Sequence, residues 1–339
     1  MQEQVSKPIF VVGSPRSGTS VLTWCLGQHP NIFPVPESNW MGDFAVNAAI
    51  GYQIGAARGD RSILSAMDIR EDELFAMFGQ GINDLILRHR KDLERKRQVT
   101  SEESEPKGRW VDGTPEYSFH ICGLRKLFPK ALFIHLIRDV RSVVRSMLNF
   151  HLVAGHNLVN NEQEAYNYWF RTVSSCLLAE RAYGPRVVLR LRYSDLLNAP
   201  EIAMRSVLEF IGERYTTACL NPLEKRINSS NVPIDFEIDN SRTDPALLER
   251  TARLCTEIEK TPQPIEVSPS ASDEIEAAFN ERVKYVASLN SEYQRALQVI
   301  AALQKETAQR TAGCIDRQSD SKTEQARSTA CVAREVKES

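Results

Sequence analysis

No apolar run in the 339-residue sequence approaches the roughly 18 residues that a membrane-spanning helix needs. A basic excess is missing as well: 42 Lys+Arg stand against 44 Asp+Glu, for a net charge of −2. General nucleic-acid binding draws on clustered cations and counterion release, so this balance argues against it. An anionic partner would have to meet a local cluster that bulk charge conceals. The seven cysteines (Cys25, Cys122, Cys176, Cys219, Cys255, Cys314, Cys331) never form a CxxC pair and are odd in number. That excludes a disulfide framework or zinc ribbon and fits reduced thiols. The six histidines show neither HExxH nor HxxxH spacing, so no metal site is expected. The N-terminal stretch MQEQVSKPIFVVG has no signal core, and a cytoplasmic location follows as the expectation.

What is present is an alternation of strand and helix signals. Pro8 to Gly13 is a short run of β-formers closed by Gly and Pro, predicting a buried strand. A helix follows from about Gly18 to Gln28, and another is expected over Glu71 to Arg97, before a polar loop at Gln98 to Gly108. Trp40 to Gly59 carries no clear signal. Ala131 to Ile137 and Arg186 to Leu191 read as strands, with helices at Glu162 to Tyr183 and Ala199 to Gly212. Such alternation predicts an α/β fold with a parallel sheet between helices. The expected organisation is one domain over 1–270, helices over 271–305 and a disordered tail over 306–339. The tail lacks Leu, Met, Phe, Tyr and Trp and cannot bury a core.

After the first strand comes Gly13-Ser14-Pro15-Arg16-Ser17-Gly18-Thr19-Ser20. The frame resembles a P-loop, GxxxxGK[ST], with Thr19 where the lysine would stand. A glycine-bounded loop entering a helix still offers backbone N–H groups and a positive dipole end to an anion. Without the lysine, an ATP or GTP enzyme is disfavoured and a nucleotide with a shorter acidic chain fits better. Downstream, Arg138 closes a strand and opens a helix on which Arg141, Ser142, Arg145, Ser146 and Asn149 share one polar arc.

These residues resemble the PAPS-dependent sulfotransferases, where PAPS is 3′-phosphoadenosine 5′-phosphosulfate. The likeness is to the glutamate-base type seen in protein tyrosine and in bacterial carbohydrate or metabolite sulfotransferases. Pro15 to Ser20 match the family's Pro-Arg-Ser-Gly-Thr-[ST] loop. The resemblance implies that Arg16, Ser17, Gly18, Thr19 and Ser20 cradle the 5′-phosphosulfate. Arg138, with Ser146 eight residues on, matches the family's 3′-phosphate site, leaving Arg141 and Arg145 as bystanders. Glu37 follows His29-Pro30 at the family's spacing for a catalytic base. Tyr193, in Leu191 to Leu196, and Ser229, in a loop that folds over the cofactor, complete the implied nucleotide site.

The implied fold is P-loop-like and three-layered, with a central parallel sheet flanked by helices and a helical C-terminal extension. The implied activity is metal-independent sulfuryl transfer from PAPS to an acceptor hydroxyl, a carbohydrate or small metabolite favoured. His151 and His156 are the histidines that could line an acceptor pocket. The C-terminal helices are available for self-association or a partner. One departure stands out: Gly113 occupies the place of a lysine that assists the leaving oxygen, so Lys107 or Arg109 substitutes, or the first loop acts alone. Two rival readings are a small-molecule kinase with a degenerate P-loop and an inactive nucleotide-binding protein.

Overall fold

The structure is a computed structural model that describes residues 7–96, 107–224, 232–261 and 266–335. Its five strands are β1 (Ile9–Val12), β2 (Ile32–Pro34), β3 (Arg109–Asp112), β4 (Leu132–Ile137) and β5 (Val188–Arg192). The helices in chain order are α1 (Thr19–Gly27), α2 (Met41–Ala56), α3 (Ile63–Ala66), α4 (Glu71–Lys96), α5 (Ile121–Leu127) and α6 (Val140–Leu148). They continue with α7 (His151–Ala154), α8 (Glu162–Tyr183), α9 (Tyr193–Asn198), α10 (Pro200–Ile211), α11 (Pro245–Lys260) and α12 (Pro269–Glu335).

All neighbouring strands pair in parallel, in the order β2-β3-β1-β4-β5. The strand order reverses about β1, which places a ligand crevice at its C-terminal end. All four β1 side chains are fully buried because both sheet faces are covered. Period-two alternation then sorts them. Ile9 and Val11 join Leu22, Leu26, Ile134, Leu136, Met204 and Leu208 in the core under α1 and α10. Phe10 points the other way, with ring centroids 5.5 Å from Trp110, 5.7 Å from Tyr117 and 5.3 Å from Phe133. Each such aromatic pair adds about 0.5–1.5 kcal/mol beyond area burial, so this cluster holds β1 rigidly beneath the loop it feeds. A buried ion triad ties β4 and β5 to α8: Glu180 accepts from Arg190 at 2.6 Å and contacts His135 Nδ1 at 2.5 Å.

Several elements differ from the sequence expectation. β2 and β3 are too short and too mixed to show a strand pattern, Pro34 and Arg109 being among their few residues. Met41–Ala56 is helical where the sequence carries no clear signal. At the C-terminus the backbone forms one helix from Pro269 to Glu335. The tail's Ala, Gln, Glu, Lys and Arg favour helical backbone even though they cannot build a core. The chain divides into two compact units, 1–283 and 284–339. Within the first, α12 buries Ala271, Ile275, Phe279 and Val283 along one stripe. In the second, the helix exposes Tyr285, Leu289, Tyr293 and Ile300. Among the described residues no helix is long and apolar enough to cross a membrane.

Candidate active site

A cavity of about 780 Å³ lies over the C-terminal ends of the strands, and its wall includes residues that follow every one of them. Across the sheet these are Glu37 after β2, Glu116 after β3, Arg16 after β1, Arg138 after β4 and Tyr193 after β5. The carboxylates therefore come from one side of β1 and the Arg138–Tyr193 pair from the other.

Arg16 adopts a left-handed backbone, φ 69°, which a non-glycine residue holds only when its surroundings fix it. Three contacts do so. Arg138 donates from its guanidinium to the Arg16 carbonyl at 3.0 Å. Arg16 Nε donates to Ser146 Oγ at 3.1 Å, and its guanidinium lies 4.9 Å from the Phe150 ring centre. Burial and the neighbouring Arg138 charge pull the Arg16 pKa down, opposed by Glu37. Two neighbouring cations favour an anion beside them.

Gly18 caps α1 at φ 106° and, as glycine, brings no side chain of its own to the first amides of that helix. A Cβ there would sit 2.5 Å from the Tyr193 ring, so glycine is required on both counts. Tyr193 in turn carries Arg138 on its face, 4.7 Å from the ring centre. Under the loop, Ser118 Oγ accepts from the Gly13 N–H at 2.9 Å. The result is an anion cradle of helix amides, two guanidiniums and hydroxyls.

Glu37 faces the cavity opposite the Arg138 side. Ser20 Oγ donates to its Oε1 at 2.9 Å. Its segment is anchored by the next residue: Ser38 N–H donates to Thr114 Oγ1 at 3.0 Å, and Ser38 Oγ to Asp112 Oδ2 at 3.3 Å. Asp112 is fully buried at the end of β3 and also accepts from the Thr114 N–H at 2.9 Å. Desolvation raises its pKa to about 6 despite those hydrogen bonds. Glu37 is likewise raised, first by desolvation from the cavity walls, against the Ser20 hydrogen bond, and further by the Glu116 charge. A raised carboxylate is a stronger base once ionised.

Arg16, Gly18, Thr19, Ser20, Glu37, Arg138, Ser146 and Tyr193 all line the cavity. Ser17 does not. Its side chain is 1% exposed beneath the loop, and its N–H is spent on Ser14 at 3.0 Å. Ser229, with the Arg226 to Ser230 loop, lies outside the described residues, as does most of the polar segment from Gln98. Arg145 lines the cavity and donates to the Pro233 carbonyl at 3.1 Å. His151 and His156 bond to nearby backbone carbonyls and are not part of the wall. The residues missed by sequence reasoning are Glu116 and Ser118, which strand order brings here from the segment after β3, and Phe150, which follows α6 and meets the Arg16 guanidinium.

Neither basic candidate near Gly113 reaches the cavity. Lys107 Nζ donates to the Gly27 and Ile32 carbonyls, and Arg109 to Ile211 O, Lys7 O and Glu213. At Gly113 itself a Cβ would lie 2.1 Å from Thr23 Oγ1 on α1. Thr23 thus fills the space that a larger residue would need.

Residues 8–217 match the sulfotransferase family. This chain belongs to that family. Among curated relatives, protein-tyrosine sulfotransferase 1 of Danio rerio is 23% identical over 63% of this chain and 55% of its own length. The Homo sapiens protein of the same name is 24% identical over 60% of this chain and 50% of its own length. The sulfotransferase thus spans about half the length of these relatives. Among solved structures, the sulfotransferase domain of the Synechococcus PCC 7002 olefin synthase aligns with TM-score 0.41 at 19% identity, covering 81% of this chain and 95% of that one. A mouse sulfotransferase complexed with PAP aligns with TM-score 0.37 at 12% identity, covering 76% and 88%.

Proposed function

We propose that this sulfotransferase moves a sulfuryl group from PAPS to an acceptor hydroxyl, with Glu37 as general base. The observation that carries this is the cradle itself: Arg16 and Arg138, 122 residues apart in sequence, are joined by a hydrogen bond at a glycine-capped helix N-terminus, in a cavity that a carboxylate also lines. The donor set suits a nucleotide with two anionic ends. Gly18, Thr19, Ser20 and Arg16 would hold the 5′ end; Arg138 and Ser146 would hold the 3′-phosphate. When bound, PAPS supplies the sulfuryl group. Glu37 takes the proton from the acceptor hydroxyl, a contribution typically about 10²- to 10⁴-fold. Arg16 and the first amides of α1 stabilise charge that builds on the leaving phosphate, without the lysine that Gly113 displaces.

A carbohydrate or small metabolite remains the favoured acceptor, and transfer is expected to need no metal. The relatives' names make a protein tyrosine the second reading, and an acceptor panel decides between them. The five described cysteines are all free thiols, which supports a reducing compartment such as the cytoplasm. The exposed Leu289, Tyr293 and Ile300 of α12 support self-association or a partner contact for that helix. The test is sulfated product formed from labelled PAPS across the panel. Tight PAPS binding without turnover, and no change on Glu37→Gln, would sink the proposal and favour an inactive nucleotide-binding protein.

A further inference from the structure

We propose that Glu116 sets acceptor specificity by pairing with a positive charge, so that the hydroxyl sulfated belongs to a molecule that also carries an ammonium group. This rests on the sulfotransferase reading above and names the acceptor class for the same site.

The argument starts from strand order. Glu37 and Glu116 follow β2 and β3, on one side of β1, whereas Arg138 and Tyr193 follow β4 and β5 on the other. A nucleotide held by Arg16 and Arg138 occupies the cationic half and neutralises it. The half left for the acceptor then presents two carboxylates. Among the described residues neither carboxylate forms a close ion pair; Glu37 feels the Arg16 charge, and Glu116 meets no cation at ion-pair distance. Lys107, Arg109 and Lys126 of the β3–α5 region are each committed to other groups, and Arg171 lies over the Phe119 ring, 5.5 Å from its centre.

Glu116 is also held in place rather than free to swing away. Tyr168 donates from its hydroxyl to Glu116 Oε1 at 3.2 Å, and the Tyr168 ring stacks on Phe119 with centroids 6.3 Å apart. One carboxylate oxygen is thus fixed by the protein, and the residue lines the cavity. A second carboxylate beside a catalytic base is costly without a cation, since like charges in a partly desolvated site repel. An ammonium on the acceptor satisfies Glu116 and brings the hydroxyl to Glu37. A carboxylate on the acceptor would be repelled by both, and a neutral acceptor would leave Glu116 partly desolvated and unpaired.

The test uses two matched trios with PAPS: tyramine, para-ethylphenol and para-hydroxyphenylpropionate, and aminohexanol, hexanol and hydroxyhexanoate. Initial rates give kcat/KM for each, and calorimetry gives binding of each to protein saturated with PAP. The ammonium member of a trio is expected to exceed its neutral partner by about tenfold, the size of one charge-assisted hydrogen bond in a partly enclosed site, with the carboxylate member weakest. In Glu116→Gln that ratio falls towards one. Equal handling of ammonium and neutral acceptors, or a preference for the carboxylate, overturns the proposal from wild-type data alone. So does an equal loss on all three in Glu116→Gln, which would make Glu116 a tuner of Glu37 instead. Failure of wild-type protein to bind PAP would overturn the sulfotransferase reading itself; PAP binding with charge-blind acceptors overturns only the role of Glu116.

Discussion

Replacing Arg138 by methionine removes the guanidinium while keeping much of the side chain's length against Tyr193. Two things are lost. One is the hydrogen bond to the Arg16 carbonyl at 3.0 Å, worth about 1 kcal/mol of folding stability. The other is the cation proposed to face the 3′-phosphate. A hydrogen bond to a charged group contributes about 1.5–3 kcal/mol, which converts to about 10- to 150-fold in Kd. Calorimetric titration with PAP reads that loss directly. Titration with AMP, which shares the 5′-phosphate but has no 3′-phosphate, separates the two effects. Arg138→Met should weaken PAP by the full factor and AMP by less than about threefold, the residue of a loosened Arg16 loop. Equal weakening of both nucleotides would show that Arg138 acts only by bracing Arg16. No weakening of either would place the 3′-phosphate elsewhere and refute the assignment of the cradle.

Glu37→Gln should lower kcat by about 10²- to 10⁴-fold with PAP affinity nearly intact, as single-turnover rates and calorimetry would show. Since the base works ionised and its pKa is raised, wild-type kcat/KM should rise with pH through that pKa and fall on acidification; a flat profile would contradict the role. Gly113→Lys should destabilise the fold by about 1–3 kcal/mol through the clash with Thr23, partly relieved by adding Thr23→Ala in the same chain, both measured by urea unfolding. Asp112 has its folded pKa raised from 3.8 to about 6, so the folded state holds its proton more tightly than the unfolded chain. Its contribution is present below about pH 4 and is lost as pH rises through about 6, a change of roughly 3 kcal/mol that Asp112→Asn should flatten in a pH series of unfolding experiments.

Much of the nucleotide half of the site is legible in sequence because it is local. β1, the glycine-bounded loop and α1 are contiguous, and Arg138, just after β4, is followed within eight residues by Ser146 on α6. The acceptor half is not, and the reason is geometric. Glu116 lies in Thr114-Pro115-Glu116-Tyr117, which has the look of an ordinary loop. It reaches the cavity only because β3 inserts between β2 and β1, a pairing that four mixed residues cannot announce. Ser17 shows the opposite failure. Its place in a phosphate-loop motif suggests contact with ligand, yet the turn that makes the loop spends its N–H on Ser14 and buries its hydroxyl. Motifs specify backbone shape more faithfully than they specify which side chain faces out.

The hydrogen bond from Arg138 to the carbonyl of Arg16 has a thermodynamic consequence. The same bond that braces a left-handed residue in the first loop joins the two ends of the nucleotide cradle, so ordering one end orders the other. A 3′-phosphate fragment that fixes Arg138 leaves less freedom to be lost when an anion settles on Arg16, and the relation runs equally in reverse. If the proposed cradle holds the nucleotide at both ends, its two halves should therefore recruit each other, and PAP should bind more tightly than the separate affinities of its fragments would give.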